Sequence, residues 1–318
     1  MPEKIFCLSG RNDSFFSQLQ YLTLGKVSLH NIESAITFLR ALQKLTTKIN
    51  ILEFNGFSFE FTEKDNQLQL IHALISIIKS QDQLRLFSMT NTPIHILTKH
   101  YGIILALECQ KNSLQEIIVE NCDYSEEFDV LKNSKNLETL HLRIYCDYKI
   151  PLKILPYNKI STLEISDYVI KTKEMSLILE KSGILLQRLK IESRCSEIQD
   201  ASVLLGMLRS FCPNITCLNI TKIGFSTQLI EVIGNLQSLQ FLTLMCIVDE
   251  VSEEEMKIRA LNFAIILQST LQYLDLIDNW LEPYFDIFLN HCNSPLRKLI
   301  IGSLNNEKST KALIEFCV

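Results

Sequence analysis

Few residues in this sequence stand at spacings that chemistry requires. Gly25-Lys26 is followed by Val27, and no glycine precedes it at Walker spacing, so a phosphate loop is missing. No strand-like run leads into Gly-x-Gly-x-x-Gly, and no Gly-x-Ser-x-Gly elbow occurs. His95 and His100 are five apart, which does not place them on one helix face as a zinc-protease pair needs, so both read as helix-surface residues. Cys212 and Cys217 have four residues between them, with no second pair to complete a tetrahedral zinc site. The aspartates and glutamates are dispersed, and no serine, cysteine or lysine has a base at motif distance. The expectation is a protein that is not an enzyme and uses no metal or cofactor.

Composition sets what scaffold is left to explain. Apolar residues make up 47 % and charged residues 21 % of the 318, close to globular averages, so a folded chain is expected. The net charge of −5 gives no electrostatic footprint for nucleic acid. No apolar run approaches the ~20 residues of a membrane helix. Met1-Pro2-Glu3-Lys4 begins no secretory signal, so the ten cysteines are read as free, mostly buried thiols in a cytoplasmic or nuclear protein.

One pattern returns eleven times: apolar, two residues, apolar, one residue, apolar. It reads Leu19/Leu22/Leu24, Ile49/Leu52/Phe54, Leu84/Phe87/Met89, Leu114/Ile117/Val119, Leu137/Leu140/Leu142 and Ile160/Leu163/Ile165. It continues as Leu186/Leu189/Ile191, Ile215/Leu218/Ile220, Leu239/Leu242/Leu244, Leu271/Leu274/Leu276 and Leu296/Leu299/Ile301. The step averages about 28 residues, near the leucine-rich-repeat period. Each unit ends on strand periodicity, so its last two apolar side chains point into one face. Helical spacing follows, as in Ile32/Ile36/Leu39/Leu42, Ile71/Leu74/Ile75/Ile78 and Leu204/Leu205/Leu208. Ser252 with Glu255 forms a capping-box start. The long spacers after Leu84 and Leu239 predict longer helices or inserted loops.

No unit can bury its own strand face, so stacking is forced. The predicted fold is an α/β leucine-rich-repeat solenoid of about eleven repeats. Parallel strands line a concave wall, helices line the convex one, and a horseshoe results. Residues 1–18 are expected to form an N-terminal cap or remnant, with Phe6 and Phe15-Phe16 as its apolar part. Residues 19–318 form the solenoid, closed by a last helix from Glu307 through Phe316 that carries Leu313, Ile314 and Cys317.

Two lead-ins to strands, Cys212-Pro213-Asn214-Ile215-Thr216-Cys217-Leu218 and Cys292-Asn293-Ser294-Pro295-Leu296, resemble those of the leucine-rich-repeat region of fungal F-box proteins. Lys135-Asn136-Leu137-Glu138-Thr139-Leu140 and Ser269-Thr270-Leu271-Gln272-Tyr273-Leu274 are similar without the cysteine. The resemblance implies substrate recognition within a cullin-type ubiquitin ligase, with ligase components among the partners. The family's F-box segment finds no place before Leu19. The family pattern also puts Asn or Cys three residues past the last strand leucine. Cys122 and Asn279 fit, whereas Val27, Tyr145, Tyr168, Ile223 and Leu304 do not, so these turns are expected to be held by packing.

Strand residues that alternate with the buried pair face the open wall. Phe241, Met245, Tyr273 and Ile277, flanked by Asp275, are expected to form an apolar step for a protein partner. His141, Arg143, Arg188 and Lys190 belong to a charged band on the same wall. The competing readings are a free-standing interaction scaffold and a small-molecule sensor.

Overall fold

The computed structural model describes residues 16–25, 27, 31–57, 64–91, 102–121, 126–143, 148–155, 158–248, 251–302 and 307–316. His95, His100, Phe6, Phe15, Tyr145, Leu304 and Cys317 lie outside them. The chain divides into two compact units, Met1–Ile160 and Ser161–Val318.

The first unit carries strands β1 (Tyr21–Leu24), β2 (Ile51–Phe57), β3 (Leu86–Asn91), β4 (Glu116–Glu120) and β5 (Thr139–Arg143). The second carries β6 (Thr162–Asp167), β7 (Arg188–Ser193), β8 (Cys217–Gly224), β9 (Phe241–Ile247), β10 (Tyr273–Leu276) and β11 (Lys298–Ile301). Within each unit the strands are parallel and neighbour one another in sequence order. Between them run helices or 3-10 turns, among them Ile32–Leu45, Lys64–Lys79, Ala201–Phe211 and Glu253–Ile266. This is the α/β leucine-rich-repeat solenoid, with about eleven repeats.

The register shows why the motif repeats. Leu52 pairs with Phe87, Phe87 with Ile117, and Ile117 with Leu140. In the second unit Leu163, Leu189, Leu218, Leu242, Leu274 and Leu299 follow one another in the same way. The nine inner triplets are buried, whereas Leu19, Leu24, Leu296, Leu299 and Ile301 of the end units are only partly covered. An end coil has a neighbour on one side only, which is the general weakness of a stacked fold. The closing helix Glu307–Phe316 forms as expected, but it buries Ala312 and leaves Ile314 at 62 % exposure. The long spacer after Leu239 resolves into the fourteen-residue helix Glu253–Ile266. Ser252 Oγ accepts from the Glu255 N–H at 3.2 Å, while the Glu255 carboxylate pairs with Arg259 rather than closing the capping box.

Past the strands Val27 and Ile223 are buried, as turns held by packing require, and side-chain hydrogen bonds hold the turns that lead into the strands. In the first unit two buried glutamines do this just before a strand. Gln81 Oε1 accepts from the Ile49 N–H at 2.9 Å, and its Nε2 donates to Thr46 O and Ile77 O. Gln110 Oε1 accepts from the Leu84 N–H at 3.1 Å, and its Nε2 donates to Ile78 O and Gln81 O. Each amide thus ties its own repeat to the one before. Asn158 does the same with Leu131 O and Ile154 O. After the strands, Ser193 Oγ donates to Ser196 O and Arg259 donates to Phe225 O.

The Cys212, Cys246 and Cys292 thiols are free and buried, while Cys109 and Cys195 are free and exposed. Burial pushes the Cys212 thiol up to about 12 and the Cys246 thiol well above its ordinary range. A thiol raised in the folded state stabilises the fold below its unfolded value of about 8.5, and that contribution fades as pH climbs toward the folded value. The melting temperature is therefore expected to fall between about pH 8 and pH 10.5, and Cys212→Ala is expected to flatten the slope. Differential scanning fluorimetry across that range checks both; an unchanged slope in the variant would contradict the assignment.

Candidate protein-binding face

Strand alternation leaves every second side chain on the face away from the helices. In the second unit the register arranges these into rows that cross the strands. The leading row, nearest the strand beginnings, runs Thr162, Arg188, Cys217, Phe241, Tyr273, Lys298. The next runs Glu164, Lys190, Asn219, Thr243, Asp275, Ile300. The third holds Ser166, Glu192, Thr221 and Met245.

Phe241 and Tyr273 stand side by side, ring centroids 6.0 Å apart and tilted by 43°. Phe241 is 40 % exposed. The Tyr273 hydroxyl donates to Asp275 Oδ2 at 3.3 Å, and the Lys298 ammonium lies 5.4 Å from the Tyr273 ring centroid. Burial and the Asp275 carboxylate both raise the Tyr273 phenol, so it stays protonated as a donor.

Met245 and Ile277 do not join this pair. Met245 sits in the third row, with the polar Thr243–Asp275 row between it and the aromatics. Ile277 is off the strand altogether. Strand β10 ends at Leu276, and Ile277 opens a 3-10 turn in which Asp278 and Asn279 take left-handed backbone (φ 67° and 53°). Short Asp and Asn side chains tolerate that region, so the chain turns there and the alternation stops. The expected four-residue apolar step is thus an aromatic pair with two separate apolar outliers.

The charged band pairs internally. Lys190 Nζ lies 2.9 Å from both Glu164 Oε1 and Glu192 Oε2, and Arg194 reaches Glu192 at 3.7 Å. Burial lowers the Lys190 ammonium, but bonds to the two carboxylates more than offset it and leave it raised. In the first unit His141 pairs in register with Ile118, and Arg143 lies 3.6 Å from Glu120. There too Glu53 accepts from the Tyr21 and Thr23 hydroxyls. Glu116 is raised by burial and by the Glu53 charge, an acidic neighbourhood that spacing did not reveal. Arg188 faces Cys217, whose thiol is raised by burial despite that cation. Lys298 was legible from sequence, since it holds in Leu296-Arg297-Lys298-Leu299 the place that Tyr273 holds one repeat earlier.

On β8 the Thr221 hydroxyl is buried at 8 % residue exposure with no hydrogen-bond partner among the described residues. A buried orphan hydroxyl costs about 1–3 kcal/mol of desolvation. Thr221→Val keeps the shape and is expected to stabilise the second unit by about 1 kcal/mol in urea unfolding; a loss of stability would refute this.

Among the described residues no three His, Cys, Asp or Glu side chains gather as metal ligands. Nor is any helix among them long and apolar enough to cross a membrane.

No family model and no curated protein sequence matches the chain. Solved structures do. A chain from the crystal structure of the Rad7 and Elc1 complex in yeast is 16 % identical, with a TM-score of 0.56 over 96 % of this chain and 82 % of that one. The leucine-rich-repeat-containing protein LegL7 from Legionella pneumophila is 13 % identical, with a TM-score of 0.49 over 97 % and 95 %. At such identity the likeness to the yeast chain shows the fold alone.

Proposed function

We propose that this chain is a protein-binding leucine-rich-repeat module, not a catalyst, acting in the cytoplasm or nucleus, and that the open strand face of its second unit grips the partner. The observation that carries the reading is the Phe241–Tyr273 pair, aromatic and accessible on a hydrogen-bonded frame. Aromatic and arginine side chains dominate the energetics of protein contacts, often at about 2 kcal/mol or more each. Arg188 and Lys190 on the same unit supply charged surroundings, while His141 and Arg143 belong to the first unit's own open strand face. Met245, Asp275 and Ile277 lie at the margin of the aromatic pair.

The finer reading is the substrate-recognition part of an F-box-type subunit of a cullin-type ubiquitin ligase. Its support is the Cys212-Pro213 lead-in and the fold likeness to a chain of a complex that contains Elc1. Two measurements test the levels separately. Purified Elc1 is titrated against the chain by calorimetry: binding at micromolar concentration supports the ligase reading, and none there leaves a free-standing scaffold. Quantitative pull-down then compares the native chain with Phe241→Ala/Tyr273→Ala for each partner it retains. Capture weakened about tenfold or more, with an unchanged melting temperature, is expected. Unchanged capture by the double variant removes this face from the account.

A further inference from the structure

The leading edge of the second unit's sheet is built differently from the rest of its open face. In the segments that bring the chain into its strands, 183–188, 212–217, 236–241, 267–273 and 292–298, there is no Asp or Glu, although the chain as a whole carries a net charge of −5. Those segments contribute Arg188, Arg297 and Lys298. Four of their uncharged polar side chains are committed to the preceding repeat. Asn214 donates to Ile184 O, Thr216 to Gln187 O, Thr270 to Leu239 O and Ser294 to Gln268 O. Behind this edge Lys190 pairs with Glu164 and Glu192, and the Asp275 carboxylate accepts from the neutral Tyr273 hydroxyl. Neither Arg188 nor Lys298 has an ion-pair partner among the described residues. The leading row therefore offers a cation on β7, the Phe241–Tyr273 pair on β9 and β10, and a cation on β11.

The geometry points to an acidic peptide segment of a partner protein as the occupant of this row, lying across the strands with an apolar side chain on Phe241 and Tyr273 and a carboxylate reaching each terminal cation. This rests on the protein-binding reading and names the chemistry of the partner. Adjacent strands are about 4.8 Å apart, so the backbones of Arg188 and Lys298, four strands apart, are separated by about 19 Å, with the Lys298 ammonium leaning toward Tyr273. An extended peptide spans that in about six residues. Charge complementarity selects the sign. A cationic segment would meet like charge at both ends and find no free carboxylate in the row. Three cations are too few for the many phosphate contacts by which nucleic acids are held.

The test is an array of synthetic nonapeptides with an apolar residue at the centre and either Asp/Glu or Lys/Arg at both ends. It is probed with the native chain, with Arg188→Glu/Lys298→Glu and with Phe241→Ala/Tyr273→Ala. Circular dichroism and melting temperature confirm that each variant is folded. The acid-flanked peptides are expected to bind selectively, to weaken as salt rises from about 50 to about 300 mM, and to lose about tenfold or more in affinity in the charge-reversed variant. In that variant the Lys-flanked peptides are expected to gain. Binding without preference for acidic ends, lost in the alanine variant but not in the charge-reversed one, would overturn the acidic-partner proposal and keep the binding face. Absence of binding by every peptide class would overturn the acidic-peptide proposal, and together with unchanged partner capture by Phe241→Ala/Tyr273→Ala it would remove the binding face as well. An oligo-dT of about a dozen nucleotides that binds more tightly than the acidic peptides and displaces them would overturn the proposal in favour of nucleic acid.

Discussion

Phe263→Ala is expected to cost the second unit about 4 kcal/mol, because it empties the centre of an aromatic cluster. Phe263 is fully buried on the Glu253–Ile266 helix and meets three other rings. Phe225 lies edge-on at 5.9 Å, Trp280 at 6.2 Å and Phe288 stacked at 5.6 Å. These four residues come from successive repeats, so the deletion leaves a void where neighbouring coils are coupled. In a stacked fold that coupling is most of what keeps one coil ordered on the next. Trp280 is the only tryptophan in the chain, and its indole N–H donates to Leu244 O at 3.4 Å inside the same cluster. Its fluorescence therefore reports on the damaged region. Urea unfolding should show the Trp280 transition moving to lower denaturant and ahead of the far-ultraviolet transition, as the repeats beyond β9 loosen first. Coincident transitions with a loss below about 1 kcal/mol would mean that the cluster fills space without coupling the coils.

The physics that makes Phe263 important also explains what could be read without coordinates. A strand that buries one face must alternate, and a coil that buries its strand against its neighbour must repeat in register. Those two demands write Leu163, Leu189, Leu218 and Leu242 into the sequence at matching places, and the structure pairs them as that reading requires. The open-face rows follow from the same register, which is why Phe241 and Tyr273 could be placed together. Ile277 shows where the rule fails. Alternation was carried one residue beyond Leu276, whereas the Asp278-Asn279 pair that follows favours left-handed backbone and ends the strand. The same register sets Glu164 beside Lys190, so that ion pair was open to the same reading, although 26 residues separate the two and only the repeat marks the partnership. Gln81 and Gln110 escaped because glutamine ordinarily belongs to solvent. A signal was present, for both stand just ahead of a strand's first leucine, where Cys212 and Cys292 stand in the second unit.

That position makes Gln110 the other substitution with a large effect. Gln110→Leu is expected to destabilise the first unit by about 3 kcal/mol, although it exchanges a polar side chain for an apolar one of similar size in a site only 2 % exposed. The amide accepts from the Leu84 N–H and donates to Ile78 O and Gln81 O at 3.0 and 2.8 Å. Leucine abandons the Leu84 N–H and the Gln81 carbonyl inside the core, at about 1–3 kcal/mol each, while Ile78 O keeps only the long bond from the Gln81 N–H at 3.4 Å; the apolar transfer that leucine gains offsets part of that. Gln81 feels the loss as well, because Gln110 fixes the backbone from which Gln81 grips Ile49. Amide hydrogen exchange at Leu84 and Ile49 should accelerate together, ahead of exchange in the second unit. Gln110→Glu separates hydrogen bonding from packing. Its carboxylate still accepts from Leu84 but opposes the two carbonyls, which disfavours the charged form and raises its pKa in the folded state above about 4.3. The deficit of that variant relative to the native chain should therefore be smallest below about pH 4 and grow as pH rises, whereas the leucine variant's deficit should not change with pH. Equal and pH-independent losses in the two variants would show that Gln110 acts through its volume and not through its hydrogen bonds.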